Sequence, residues 1–229
     1  QFMVFDLKQM KFVKSVGFPG EKYVWSLTRG GDGRIYGGTY PGGKLGAFDI
    51  EKLSVEDCGA PAPPNLYLRN VSPAPDGKVV CYFGMEKPVT MLFDPQTKKF
   101  APAPKSIASV QTGAVWNGHF VSGSGAFSGN DFKPVDPPPF PMPPADKGAW
   151  SIETYPTTAD QLFLRQGSAI YRYGKGEKDL ALLTDQDLHA RLLAGTSKGE
   201  GLFVRGPEYF VVAPGEKDIK PRAIPMQPG

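Results

Sequence analysis

One unit of about 40 residues recurs about five times along this chain, and that period constrains the fold more than any other feature. Each copy carries an Asp-Gly or Asn-Gly turn, a β-rich run, a second turn, and an apolar run that often ends in Asp. The first copy holds Gly31-Asp32-Gly33-Arg34-Ile35-Tyr36 and then Leu45-Gly46-Ala47-Phe48-Asp49. The second holds Pro75-Asp76-Gly77-Lys78-Val79-Val80 and then Met91-Leu92-Phe93-Asp94. In the third, Trp116-Asn117-Gly118-His119-Phe120-Val121 precedes Phe132-Lys133-Pro134-Val135-Asp136, read as the third strand. The fourth is worn: Ala159-Asp160-Gln161-Leu162-Phe163-Leu164, then Ala169-Ile170-Tyr171-Arg172-Tyr173. The fifth runs Gly199-Glu200-Gly201-Leu202-Phe203-Val204, then Tyr209-Phe210-Val211-Val212-Ala213.

Two landmarks keep the same step. Turn positions at 33, 77, 118, 161 and 201, with Gln161 standing where the others have Gly, are spaced 44, 41, 43 and 40 residues apart. Strand-ending positions 6, 49, 94, 136, 173 and 213 are spaced 43, 45, 42, 37 and 40 apart. Gly and Asn tolerate positive φ and so make tight hairpin turns. The flanking Val, Ile, Tyr and Phe suit a pleated, half-buried surface. A period of this length with several short strands per unit predicts an all-β fold of β-propeller type, built from four-stranded blades. In the first copy, strands A to D are expected near residues 23–28, 34–39, 44–49 and 54–58.

The chain enters the repeat out of phase. Residues 1–6 read as a strand C, residues 11–17 as its strand D, and residues 219–226 as a final strand D. The expectation is a half-blade over 1–17 and blades over about 21–60, 65–104, 107–145, 149–184 and 190–227, all in one propeller domain spanning 1–229. The two strands absent from the first blade are expected from an upstream part of the same chain or from a partner chain, within a propeller of six to eight blades. The other reading is an open, partial array of sheets, which leaves edges prone to aggregation.

Composition narrows the partners. The formal net charge is +3 with charges scattered, and no basic stripe interleaves with aromatics, so nucleic acid is not an expected partner. No apolar run reaches the ~18 residues that span a bilayer. Residue 1 opens no leader-like pattern; compartment stays open, with a secreted or periplasmic setting favoured. Cys58 and Cys81 are the two cysteines, placed on an outer strand and on strand B of the next blade. Neighbouring blades make a bridge conceivable, but the radii differ. No metal site and no cofactor are expected. A segment over 184–193 has some helical character and otherwise reads as a loop between blades. The proline run 136–144 favours polyproline II. It reads either as a docking segment or as a strap replacing an outer strand.

Ligands of such folds sit where the loops entering strand A converge on the channel mouth. Counting back about eight residues from each turn position selects Trp25, Arg69, Val110, Glu153 and Leu193. Just before them lie Tyr23, Tyr67, Trp150 and Arg191, with Gln111 beside Val110 and His189 in the loop entering the fifth blade. The candidate ligand-binding set is Tyr23, Trp25, Tyr67, Arg69, Trp150, Glu153, His189 and Arg191. Aromatic faces stack on sugar or aromatic rings, and the planar Arg fork grips carboxylate. The competing reading wedges Trp25 and Trp150 between blades and pairs Arg69 with Glu153. His119, after the Asn117-Gly118 turn, belongs to the opposite end of its blade. Gly38-Thr39-Tyr40-Pro41-Gly42-Gly43-Lys44 joins two strands and is a B–C turn rather than a phosphate loop.

The run Trp25-Ser26-Leu27, Asp32 to Thr39 and Lys44 to Asp49 resembles the blade repeats of streptogramin-lyase-like and quinoprotein-like propellers. The first resemblance implies a Glu and histidines holding magnesium. This chain has no Glu-x-His and two histidines in all. The second implies a Trp in every blade, whereas Trp occurs three times here and out of that register. Propeller polysaccharide lyases use His, Tyr and Arg, for which His189, Tyr67 and Arg69 are the matching types. The expected function is non-catalytic recognition or scaffolding of a protein or glycan partner. The alternative is a carbohydrate-active enzyme of the polysaccharide-lyase type, acting on an anionic polysaccharide.

Overall fold

The computed structural model describes residues 1–6, 9, 11–85, 87–123 and 125–223. The fold is all-β. A hairpin of β1 (Phe2–Asp6) and β2 (Lys11–Val16) is followed by five four-stranded antiparallel sheets, the blades of a β-propeller fold. Blade one has β3 (Tyr23–Arg29), β4 (Ile35–Tyr40), β5 (Leu45–Asp49) and β6 (Ser54–Asp57). Blade two has β7 (Tyr67–Pro73), β8 (Val79–Gly84), β9 (Val89–Asp94) and β10 (Lys99–Pro102). Blade three has β11 (Gly113–Trp116), β12 (His119–Ser122), β13 (Gly125–Phe127) and β14 (Pro134–Val135). Blade four has β15 (Trp150–Ile152), β16 (Gln161–Gln166), β17 (Ala169–Gly174) and β18 (Ala181–Thr184). Blade five has β19 (Arg191–Gly195), β20 (Gly201–Arg205), β21 (Glu208–Val212) and β22 (Arg222–Ala223). Each sheet runs in simple chain order. Helix among the described residues amounts to two three-residue 3-10 turns, at Lys105–Ile107 and Ala145–Lys147. The 184–193 segment is strand end, loop and strand start. Of the strand expected over 219–226, Arg222 and Ala223 pair with β21, and residues 224–226 lie outside the described residues.

The two sequence landmarks have physical causes. At the A–B turns, the Gly30 N–H donates to the Arg34 carbonyl and the Gly33 N–H to the Gly30 carbonyl; Ala74, Lys78 and Gly77 repeat the pattern. Gly33 and Gly77 both sit at φ 84°, which glycine adopts without strain. The Asp that ends strand C closes the next turn. Asp49 Oδ1 accepts from the Glu51 and Lys52 N–H groups, and Asp94 Oδ1 from Gln96 and Thr97.

Three assignments need correction. Residues 132–136 are not a strand C. The third strand of blade three is β13, and Pro134–Val135 is the outer strand, paired with Phe127 and Ala126. Proline has no N–H for a central ladder, so an outer edge is where it belongs. The proline run therefore follows an outer strand rather than replacing one. Phe140 is buried from it, edge-on to Trp116 at 5.7 Å and to Trp150 at 6.0 Å. Gln166 Nε2 donates to the Pro144 and Gly148 carbonyls and ties down its end. In blade five the turn glycine is Gly199, φ 79°, not Gly201: the Gly199 N–H donates to Thr196 and the Thr196 N–H to Glu200, while Gly201 opens β20. In blade three the first strand begins at Gly113, so Val110 and Gln111 lie before it, Val110 donating to the Ile107 carbonyl.

By contact the chain forms two compact units, Gln1–Gly113 with Gly129–Phe132, and Ala114–Ser128 with Lys133–Gly229. The first unit has a core of Tyr36, Leu45, Ala47, Leu68, Val71, Val79, Cys81, Phe83 and Phe93 between blades one and two. Strand β8 is buried at every residue, as a strand covered on both faces must be. Backbones touch here: a Cβ on Gly38 would run into the Leu68 carbonyl. Gly38→Val should therefore cost about 1–3 kcal/mol, read as a lower urea midpoint; an unchanged midpoint contradicts this packing. The second unit has one core around Trp116, Leu162 and Leu164 and another around Phe163, Leu192, Phe203 and Phe210.

The cysteines are free thiols. Cys81 is fully buried and burial drives its thiol pKa up; burial, then the nearby Glu56 charge, pushes Cys58 up to about 11. Neither thiolate forms near neutrality, so a disulfide-exchange reagent at pH ~7 should react with neither until the chain is denatured. Rapid reaction of one native thiol contradicts this.

Several carboxyls are held below their ordinary range. A hydrogen bond from Lys98 lowers Glu56, and backbone N–H groups lower Asp49 and Asp94. For Asp32, burial pulls upward, but hydrogen bonds from Arg34 and Tyr36 outweigh it. Depressed carboxyls contribute stability above their unfolded values of about 4, and lose it as pH falls through the lower folded values. Denaturant midpoints should be flat from neutrality to about pH 5 and fall below about pH 4. A midpoint that rises on acidification contradicts this.

Candidate functional site

Strand A of a blade starts at the same end as the B–C turn, because Tyr23 pairs with Tyr40 and Tyr67 with Gly84. The ladder is broken just inside that end. Between Val24 and Ser26, between Leu68 and Asn70, and between Leu192 and Ala194 the register slips by one residue. The residues left without a partner in these bulges are Trp25, Arg69 and Leu193. A bulge bends its strand and re-aims one side chain, and bulges are frequent beside binding sites. The sequence alignment had selected these three positions. In blade five it did so although its turn reference was two residues off, because strand β19 is shorter by the same two residues between bulge and turn.

In the first unit, four aromatic rings form a closed circuit. Tyr23 lies 5.6 Å from Trp25 and 6.0 Å from Tyr40; Trp25 lies 5.9 Å from Tyr67; Tyr40 stacks on Tyr67 at 4.2 Å. Tyr23 and Trp25 are 55% and 52% exposed, far too open for rings wedged between blades. Beside them is a cavity of about 300 Å³ lined by Trp25, Tyr67, Arg69, Asn70 and Met85. The Arg69 side chain is exposed, and Met85 is 62% exposed at the cavity wall. The structure thus brings Tyr23, Trp25, Tyr67 and Arg69 of the candidate set into one neighbourhood.

It adds Tyr40, Asn70 and Met85, which the sequence reading missed. Tyr40 and Met85 lie where strand B ends and the B–C turn begins. The ladder pairing Tyr23 with Tyr40 is the signal that points to them, and the loops entering strand A do not carry it.

In the second unit the remaining four are placed differently. Trp150 is half-buried against Phe140 and the core around Trp116. The Glu153 carboxylate pairs with Arg165 Nε, so its ionic partner is Arg165, from the facing strand β16. Sequence reasoning had offered Arg69 as that partner and missed Arg165. Arg191 is exposed, its guanidinium 5.2 Å over the Tyr155 ring. His189 is exposed with Nδ1 3.4 Å from Asp187 Oδ2. His119 sits at the turn between β11 and β12, Nδ1 3.0 Å from the Asn117 carbonyl oxygen. The magnesium-holding set that a streptogramin lyase resemblance implies does not fit this chain. Its two histidines stand at opposite ends of their blades, and among the described residues no three His, Cys, Asp or Glu side chains gather as ligands.

Against known proteins, no family model and no curated protein matches the sequence. Solved structures match in fold. The chain is similar to virginiamycin B lyase from Staphylococcus aureus, in its selenomethionine-substituted form, with a TM-score of 0.60 and 14% identity over 98% of this chain and 78% of that one. A streptogramin B lyase matches at a TM-score of 0.52 and 14% identity, over 90% of this chain and 70% of the other. A chain of a mitotic checkpoint complex matches at 0.52 and 12% identity, over 91% and 69%. Such identities carry the β-propeller fold and nothing finer.

Proposed function

We propose that this protein is a recognition propeller that binds a glycan or protein partner through the aromatic circuit and Arg69 of its first unit, and that a glycan carrying carboxylates suits the pocket best. The observation that carries this reading is the pairing of half-exposed, flat rings with a guanidinium on a bulge at the lip of one cavity. A sugar ring offers an apolar face to Trp25 and Tyr67, and its carboxylate fits the bidentate Arg fork. Ligand pockets have this make-up: aromatic walls with a few convergent polar groups. Recognition rather than turnover suits the second unit, where Glu153 is engaged by Arg165.

A screen of acidic oligosaccharides against the native chain tests it. Binding without change to the sugar is the expected result. Appearance of an unsaturated uronate chromophore would establish the polysaccharide-lyase alternative instead. Binding to acidic peptides but to no glycan would shift the partner class to protein.

A further inference from the structure

On the basis of the function proposed above, we propose that the site of the first unit takes two consecutive sugar rings: an acidic ring in the cavity beside Arg69, and its neighbour in the chain stacked on Tyr23. The cavity of about 300 Å³ stands at the small end of the range for ligand pockets, about 300–1,000 Å³, and suits one ring rather than a chain. Its lining is Trp25, Tyr67, Arg69, Asn70 and Met85. Tyr23 stands outside that lining, yet its ring is 5.6 Å from Trp25 and inclined to it by 37°. The two rings therefore continue one another as a bent platform that starts in the cavity and ends beyond it.

Position on the strand gives the platform a direction. Tyr23 is the first residue of β3, and Trp25 is bulged out two residues further in. A glycan with its acidic ring on Trp25 and Arg69 thus leaves past Tyr23, toward the end of the blade where the B–C turn lies. Both exposed rings are braced. Tyr40 lies 6.0 Å from Tyr23 and stacks on Tyr67 at 4.2 Å, and Tyr67 lies 5.9 Å from Trp25. Tyr40 and Tyr67 are half-buried, whereas Tyr23 and Trp25 each leave about half of their surface to solvent. Aromatic side chains held in place before the ligand arrives lose little freedom on binding.

Charge separates the two subsites. Arg69 offers its planar fork to a carboxylate in the cavity. Next to Tyr23 in the chain stand Glu21 and Lys22, one of each sign, and the Glu21 carboxylate accepts from the Gly42 N–H. The second ring is held by stacking, so its contribution is insensitive to salt, while the ion pair of the first ring is screened.

The test titrates glucuronate and galacturonate, and disaccharides carrying the same uronate at either end, into the protein by NMR at about 0.02 and 0.3 M salt. Expected is a gain of roughly three- to tenfold for the disaccharide over its free acid, equal at both salt concentrations. In Tyr23→Ala the gain should vanish, with free acid and disaccharide binding within about twofold of each other. Tyr23→Phe should keep it, because the ring rather than the hydroxyl does the stacking. A free acid that binds as tightly as every disaccharide overturns the second subsite and leaves the proposed function standing. A gain that survives Tyr23→Ala overturns it too, as does a gain lost at the higher salt, which would assign the second ring to charge. If neither acid nor disaccharide binds the protein, the proposed function itself fails, and the second subsite with it.

Discussion

Replacing Phe93 by Ala should lower the stability of the folded chain by about 3–5 kcal/mol. Phe93 is fully buried, with its ring 4.8 Å from Phe100 and 5.7 Å from Tyr36. Its two ring neighbours come from different blades, so truncation opens a cavity where blades one and two meet. The backbone cannot collapse to close it, since Gly31 and Gly77 already touch, with the Gly31 N–H donating to the Gly77 carbonyl at 3.2 Å. At roughly 2–4 °C per kcal/mol for a chain of this size, the melting temperature should drop by roughly 10 °C. Calorimetry reads this directly. A drop of only a degree or two would mean that blades one and two are not packed through this core.

The second large effect concerns the site. Arg69→Ala should weaken binding of an acidic oligosaccharide roughly ten- to a hundredfold, the loss of a charge-assisted hydrogen-bonded pair. Trp25→Ala should weaken it by a similar factor through lost stacking. Both side chains are exposed, so stability should barely change. His119→Ala, a turn residue outside the pocket, should leave affinity as it is. Titration calorimetry on these variants separates the roles. If Arg69→Ala leaves binding intact but lowers the melting temperature, Arg69 is structural and the site lies elsewhere.

Much of this was legible in the sequence for identifiable reasons. The Asp-Gly turns and strand-ending Asp residues are local devices, each closed within a few residues of itself, so they mark the sequence directly. The bulge positions were found because they sit at a fixed place within a repeated strand. Legibility failed where local patterns are degenerate. Phe132 to Asp136 is apolar enough for strand C, and only the ladder rule for Pro134 distinguishes an outer strand. Gly199 and Gly201 differ by two residues, a full strand period, so both registers put the same side chains on the same face. Tyr40, Met85 and Arg165 reach their sites through strand pairing, which depends on tertiary register rather than on spacing within one loop. Glu153 occupies the repeat position of Trp25 and Arg69, and nothing in that spacing announces its ionic partner Arg165 on the neighbouring strand.

We propose the pocket of Trp25, Tyr67 and Arg69 as the place where this propeller meets its partner. The most direct measurement is a crystal structure of the chain with a uronate-containing oligosaccharide that binds it in solution. The expected result is a sugar ring stacked on Trp25 or Tyr67 with its carboxylate on the Arg69 guanidinium. A ligand bound away from these three residues would contradict it.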